Sequence, residues 1–274
     1  KTRLLESGRL GDYAKVRVGI QVLWDKAYHI RPTSVKKGII RGKSHIEEDF
    51  EIELAACRPL ISNEKFYHYR NDNADVFVIF PYDVVKGTVT EISFSDFKKR
   101  FPLAGEYLSR HKKTIQRNVE TWNEAKTWHL YTRVQNHGAT YPKILVPMTA
   151  LDTFASLTFS DKTYCDNANV FFIDTPDKDE NTLYALSAII NSTVYSVLAR
   201  SIANPQTNGY YKFNKQYLEP VPFPLQNFTD NVEFKTQLAS VAKRIDELQN
   251  RFKSSSLTQT RTIARLLSTQ WNLL

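Results

Sequence analysis

Hydrophobic and polar positions alternate or form short apolar runs through most of the chain, then take on helical spacing toward its end. Lys15-Val16-Arg17-Val18 alternates with period two, which predicts a half-buried strand, and Gly19 marks a bend after it. A polar, basic, glycine-containing stretch follows (Lys36-Lys37-Gly38, Arg41-Gly42-Lys43) and reads as a loop or hairpin tip. Alternation returns over 50–54. Val76-Phe77-Val78-Ile79-Phe80 is continuously apolar and closed by Pro81, the pattern of a buried strand. The runs 143–147 and 169–173 predict further strands.

Helical spacing begins near Ser95-Asp96, which suits a first-turn cap, and Pro102 breaks or restarts the helix. Leu103, Tyr107, Leu108, His111 and Ile115 mark one face; Arg110, Lys113 and Arg117 share the other, as a solvated surface or as phosphate ligands. An acidic turn over 174–181 leads into an apolar helix over 182–199. Phe234, Leu238, Val241, Ile245, Leu248 and Phe252 then recur at alternating steps of four and three. That spacing is an a/d seam and predicts packing along another long helix rather than onto a broad core. After a serine break, Ile263, Leu266, Leu267 and Trp271 suggest a terminal helix. The pattern divides the chain into a main domain over 1–228 and a helical spacer with tail over 229–274.

Composition adds a partner class. With 37 Lys+Arg against 29 Asp+Glu, the net charge of +8 favours a polyanion. The charge is accompanied by 14 Tyr, 16 Phe and 4 Trp, whose faces suit bases and sugar edges as well as a core. Cys57 and Cys165 lack metal or redox spacing and read as buried thiols of a reducing cytoplasm. No secretory pattern and no bilayer-length apolar run is visible, so the expected setting is cytoplasmic, without membrane. The first residue is Lys1, which reads as a cut from a longer polypeptide.

Catalytic signatures do not accumulate. There is no glycine-rich phosphate loop, no nucleophile elbow and no His-Glu-x-x-His helix. Asn204-Pro205-Gln206 lacks the second proline and the aromatic of an amino-methyltransferase motif. Glu124-Ala125-Lys126 fits half of a nuclease metal site but has no Pro-Asp partner before it. We therefore assign no catalytic residue, no metal ligand and no cofactor to this chain.

An ordered set of landmarks does accumulate. It runs through Leu10-Gly11-Asp12, Phe80-Pro81-Tyr82, Phe101-Pro102-Leu103, Tyr141-Pro142-Lys143-Ile144 and the strand ending at Ile173. It closes on Phe213-Asn214-Lys215-Gln216-Tyr217-Leu218 with Val221-Pro222-Phe223-Pro224. From about Leu10 to Phe252 the chain resembles the TaqI-like specificity domain of γ-class adenine-N6 DNA methyltransferases. It is similar also to one recognition half of a type I restriction specificity subunit. The resemblance implies an α/β (mixed α+β) target recognition domain followed by a long helical spacer. It further implies double-stranded DNA as partner, and an N-terminal methyltransferase domain, outside this chain, that holds S-adenosylmethionine.

Such a domain needs cations for phosphates and forked or amide groups for base edges. The phosphate candidates are Arg17, Arg110, Lys112, Lys113, Arg117 and Lys143. The base-reading candidates are Gln21, His129, Arg133, Gln135, Asn136, Gln206, Asn208 and Lys212, although Asn208-Gly209 also reads as a plain turn. Of Tyr210 and Tyr211, one is expected to pack inward. Two rivals stay open: an assembly domain that uses the seam over 232–252, and a nuclease that uses Glu124 and Lys126.

Overall fold

Alternation at the start of the chain produces a half-buried strand: Val16 is buried while Lys15 and Arg17 face solvent. The structure, a computed structural model, describes residues 8–22, 24–62, 68–70, 74–118, 127–131 and 133–253. Trp122, Glu124, Lys126, the Phe252 side chain and the tail positions 263–271 lie outside the described residues.

The chain opens with α1 (Leu10–Tyr13) and β1 (Lys15–Val18), and α2 (Asp25–Tyr28) then runs into β2 (His29–Lys36). With β3 (Ile39–Lys43), β2 forms a hairpin whose tip, Lys37-Gly38, has φ of 49° and 79°. The basic stretch is thus a tight hairpin of the type that needs positive φ. There follow β4 (Phe50–Glu53), β5 (Cys57–Ile61), β6 (Tyr69–Arg70), β7 (Val76–Ile79), β8 (Tyr82–Val85) and β9 (Thr88–Glu91).

Ser93, two residues before the expected cap, accepts a hydrogen bond from the Asp96 N–H and starts α3 (Phe94–Arg100). Pro102 opens α4 (Pro102–Asn118), where its missing N–H leaves no bond unmade. Next come β10 (Lys143–Pro147), β11 (Thr149–Ala150), β12 (Ser156–Thr158), β13 (Tyr164–Cys165) and β14 (Val170–Asp174).

The apolar helix expected over 182–199 is two helices, α5 (Glu180–Ile190) and α6 (Thr193–Ile202), bent by 67°. Asn191 causes the break. Its side chain accepts from the Ala155 N–H (2.9 Å) and donates to the Ala155 carbonyl (3.0 Å), while Ser192 caps α6. The chain ends with β15 (Asn204–Pro205), β16 (Tyr211–Lys212), α7 (Lys215–Leu218), α8 (Leu225–Asp230) and α9 (Val232–Lys253).

The strands form a five-stranded sheet (β1-β14-β10-β12-β6), a six-stranded sheet (β13-β5-β7-β2-β3-β4), a three-stranded sheet (β11-β16-β15) and the β8-β9 hairpin. The β12–β6 and β13–β5 pairs are parallel and the others antiparallel, so the fold is mixed α/β as expected. The five-stranded sheet, α5 and α6 enclose one core, with Ile144, Val146, Leu183, Leu186 and Phe213 at its centre. The six-stranded sheet packs on α3 and α4 through Ile30, Val78, Phe97, Tyr107 and Ile115.

The partner of α9 is not a second long helix but α5, 11 residues of the same chain. Its buried stripe is Ala239, Ala242, Ile245 and Asp246, while Phe234 and Leu248 of the expected seam stay partly exposed. The buried stripe is thus rotated from the a/d line toward the two alanines. The Tyr184 hydroxyl donates to buried Asp246 (2.7 Å) across this contact. Ala239, Ala242 and Ile245 belong to the same core as the five-stranded sheet.

Ile245→Ala is expected to cost about 2–5 kcal/mol in denaturant unfolding and to leave a single transition. A separate early transition for α9 would contradict the shared core.

Candidate nucleic-acid interface

One turn positions the surface. Asp166 is 7% exposed, and its carboxylate accepts from the Ala168 N–H (3.2 Å) and the Asn169 amide (3.0 Å), closing an Asx turn. The turn's backbone reaches both large sheets. Asp166 N–H donates to the Ile61 carbonyl (3.1 Å), Asn167 N–H to Ile20 (3.2 Å), and Ile20 N–H to Cys165 (2.9 Å). Gly19 permits this approach, because a Cβ there would lie 2.1 Å from the Cys165 oxygen.

The register Val18↔Phe171, Val146↔Phe171 and Pro147↔Val170 sends β1 and β10 out of the five-stranded sheet at the same end. There Met148 N–H donates to the Asn169 carbonyl (2.8 Å), and Phe213 N–H donates to Met148 (2.7 Å). The β15–β16 hairpin is thereby anchored beside the 166–169 turn. Every residue over 204–210 is exposed. Asn208 (φ 58°) and Gly209 (φ 77°) form its tip, so Asn208 does occupy a turn. Gln206 is exposed and its amide donates to the Pro205 carbonyl (3.0 Å). Lys212 pairs with Thr149 and Asn204 across the small sheet. Tyr211 packs against the core, whereas Tyr210 is 42% exposed.

A second segment joins the same end of the sheet. Arg133 bridges Gln21, and the Asn136 and Gln135 amides donate to the Val18 (2.9 Å) and Gly19 (3.4 Å) carbonyls. Gln21, Arg133, Gln135 and Asn136 are therefore brought together. Arg133 stays exposed, while Asn136 uses its donor to hold β1. Beside them lies a cavity of about 380 Å³ whose lining includes Gln21, Trp24, Lys26 and Asn167. The last three escaped the sequence reading, although Asp166-Asn167-Ala168-Asn169 carries the polar signature of an Asx turn.

Of the α4 cations, Arg110 pairs with Glu47 (2.8 Å), which also binds His111. Lys112 lies over the Trp128 ring (5.2 Å). Lys113 and Arg117 are exposed and have no ion-pair partner among the described residues. Arg17 faces Asp174 at 3.4 Å.

Two expected site residues are structural instead. Lys143 is 1% exposed, and its Nζ donates to the Ala139 (2.6 Å) and Thr163 (2.9 Å) carbonyls among the rings of Tyr141, Tyr164 and Phe172. Desolvation pushes its amine down to about 8. It cannot reach a phosphate. His129 is fully buried and its Nε2 bonds the Ile92 carbonyl (2.8 Å), while burial lowers its pKa. It cannot reach a base edge. Its neighbours Trp128 and Tyr131 are buried too.

Cys57 and Cys165 are buried free thiols, pushed up by that burial. Among the described residues no group of three or more His, Cys, Asp or Glu could hold a metal ion. Nor is any single helix among them long and apolar enough to cross a membrane; α5 and α6 would qualify only as a bent pair, and α5 is largely buried.

Residues 93–223 match the family model of the TaqI-like C-terminal specificity domain. This part of the chain is similar to a TaqI-like specificity domain. The match takes in α3, α4, Arg133 and the β15–β16 hairpin, and leaves β1 and α9 outside. A specificity domain points to DNA sequence recognition in restriction–modification, consistent with no catalysis in this chain. Comparison with curated proteins returns no match.

The Lys143 amine yields a signed test of this interior. Its pKa falls from 10.5 in the unfolded chain to about 8 in the folded one. Between those values the unfolded state binds more protons, so this residue's contribution to stability rises with pH. Relative to Lys143→Met, which carries the same tyrosines, the parent should gain about 2 kcal/mol from pH 8 to 9.5. A pH-independent difference would contradict the buried amine.

Proposed function

We propose that this chain is the sequence-reading part of a site-specific adenine-N6 DNA methyltransferase or of a fused restriction–modification enzyme. It binds double-stranded DNA and presents the target adenine to a methyltransferase domain earlier in the polypeptide, where S-adenosylmethionine is held. The observation that carries the reading is the exposed β15–β16 hairpin within the family match, anchored beside Gln21 and Arg133. In this reading Gln206, Asn208, Lys212, Arg133 and Gln21 meet base edges. Amide forks suit adenine and guanidinium forks suit guanine. Lys113 and Arg117, with Arg110, Lys112 and Arg17 beside their partners, meet phosphates and orient the domain without reading sequence.

The assembly reading loses ground because α5 of the same chain already covers the inner face of α9. The nuclease reading rests on Glu124 and Lys126, outside the described residues.

Fluorescence anisotropy with labelled duplexes separates the two roles. Lys113→Glu with Arg117→Glu should weaken binding to all duplexes and flatten the dependence of log K on log salt by about 2. Gln206→Ala with Asn208→Gly, which keeps the left-handed turn, should instead relax sequence preference by about 1–3 kcal/mol per lost contact. Parental affinity, slope and preference in both variants would refute the assignment. The 274-residue chain should not transfer methyl groups from S-adenosylmethionine to DNA; measurable transfer would overturn the division of labour.

A further inference from the structure

The Trp24 ring borders a cavity rather than another ring. Trp128, by contrast, tilts against Phe94 with 4.7 Å between ring centroids and carries Lys112 on its face at 5.2 Å. Trp24 is half-buried beside the core of the six-stranded sheet, yet its ring meets no other ring and no cation among the described residues. It lines the cavity of about 380 Å³ at the candidate reading edge, together with Gln21, Lys26 and Asn167. That volume falls within the usual range of small-ligand sites, about 300–1,000 Å³.

The polar groups around the ring are uncommitted as well. Gln21 and Asn167 are partly buried, and neither side-chain amide has a hydrogen-bond partner among the described residues. Each offers donors and an acceptor to whatever enters. Of the two acids in the lining, Asp166 is engaged in its turn and Asp25 faces His29 at 3.9 Å. The walls are also fixed. The Trp24 carbonyl accepts from the Ala27 (3.0 Å) and Tyr28 (3.1 Å) N–H groups at the start of α2, and the Asn167 N–H is held by the Ile20 carbonyl (3.2 Å).

An aromatic face rimmed by two amides has the chemistry that holds a nucleobase, since the face stacks while the amides meet the hydrogen-bonding edge. A base inside a duplex shows its edge to the groove, but its faces are covered by its neighbours. Only a base out of the stack meets Trp24 and the amides together. We infer that this cavity receives one nucleobase extruded from the bound duplex, stacked on Trp24 and hydrogen-bonded by Gln21 and Asn167. The inference deepens the DNA-recognition reading and rests on it. Its occupant is a different base from the target adenine, which the proposed function delivers to another domain. Lys26, exposed in the same lining, is placed for the phosphate of the extruded nucleotide.

A mismatch scan tests this with the 274-residue chain. Each base pair of the duplex motif that the chain selects is replaced in turn by a mismatch, and affinity is read by anisotropy. A mismatch removes the pairing that extrusion must break, so at one position it should strengthen binding at least tenfold. Trp24→Ala should abolish that gain, and Trp24→Phe, which keeps an aromatic face, should retain most of it. Asn167→Ala, which leaves the backbone of the turn intact, should lower the gain at least threefold and decides the matter if Trp24→Ala does not fold. Normal binding with no position of gain overturns the inference and leaves the DNA reading standing. A gain undiminished in Trp24→Ala or in Asn167→Ala also overturns it. Failure of the parent chain to bind any duplex removes both.

Discussion

The 166–169 turn is the joint on which the molecule depends. A single buried carboxylate, Asp166, organises it, and its backbone then bonds to Ile61 of one large sheet and to Ile20 and Met148 at the exits of the other. Gly19 is part of the same constraint, since any side chain there would collide with the Cys165 carbonyl. With this joint in place the two sheets meet at one edge, over a third apolar cluster of Ile61, Leu145, Cys165, Val170 and Phe172 that draws on both. Three irregular segments leave from that edge together, at Gln21, Asn167 and Met148.

That arrangement explains how an irregular surface is held still. The β15–β16 hairpin projects into solvent along 204–210, yet its root is bonded through Phe213 and Met148 to the joint. Arg133 is fixed by its bridge to Gln21 and by the Asn136 amide on Val18. A reading surface needs exposed polar tips on a rigid base, because each loosely held side chain adds ordering entropy to binding. The cations are distributed differently. Lys113 and Arg117 extend from α4, a 17-residue helix packed through Tyr107, Leu108 and Ile115, and the phosphate contacts proposed for them require only that kind of coarse placement.

Much of the strand framework was legible in the sequence, because β1, β7, β10 and β14 carry their burial in local alternation or apolar runs. The helix break at Asn191 was not, since Ile-Ile-Asn-Ser suits a continuous helix until Ala155, 36 residues away, offers its N–H and carbonyl. Lys143 and His129 misled for a related reason. A polar residue signals surface unless buried carbonyls wait for it, and Ala139, Thr163 and Ile92 are brought there only by the fold. The heptad along α9 was real, but Ala239 and Ala242 weigh little in a hydrophobic pattern and decide which face is inside. At the candidate site the hairpin and Arg133 were legible from residue type. Asn167 was not, because only the Asx turn brings it to Gln21, and Trp24 and Lys26 join the same lining from α2 and its cap.

The central claim is that this chain reads DNA sequence from the edge built on the 166–169 turn. The most direct test is binding of the 274-residue chain to a randomised duplex pool at two salt concentrations, with sequencing of the retained fraction. Sequence reading predicts enrichment of a short shared motif and affinity that falls steeply with salt. Absence of binding at low salt by correctly folded protein, or retention without any enriched motif, would contradict it.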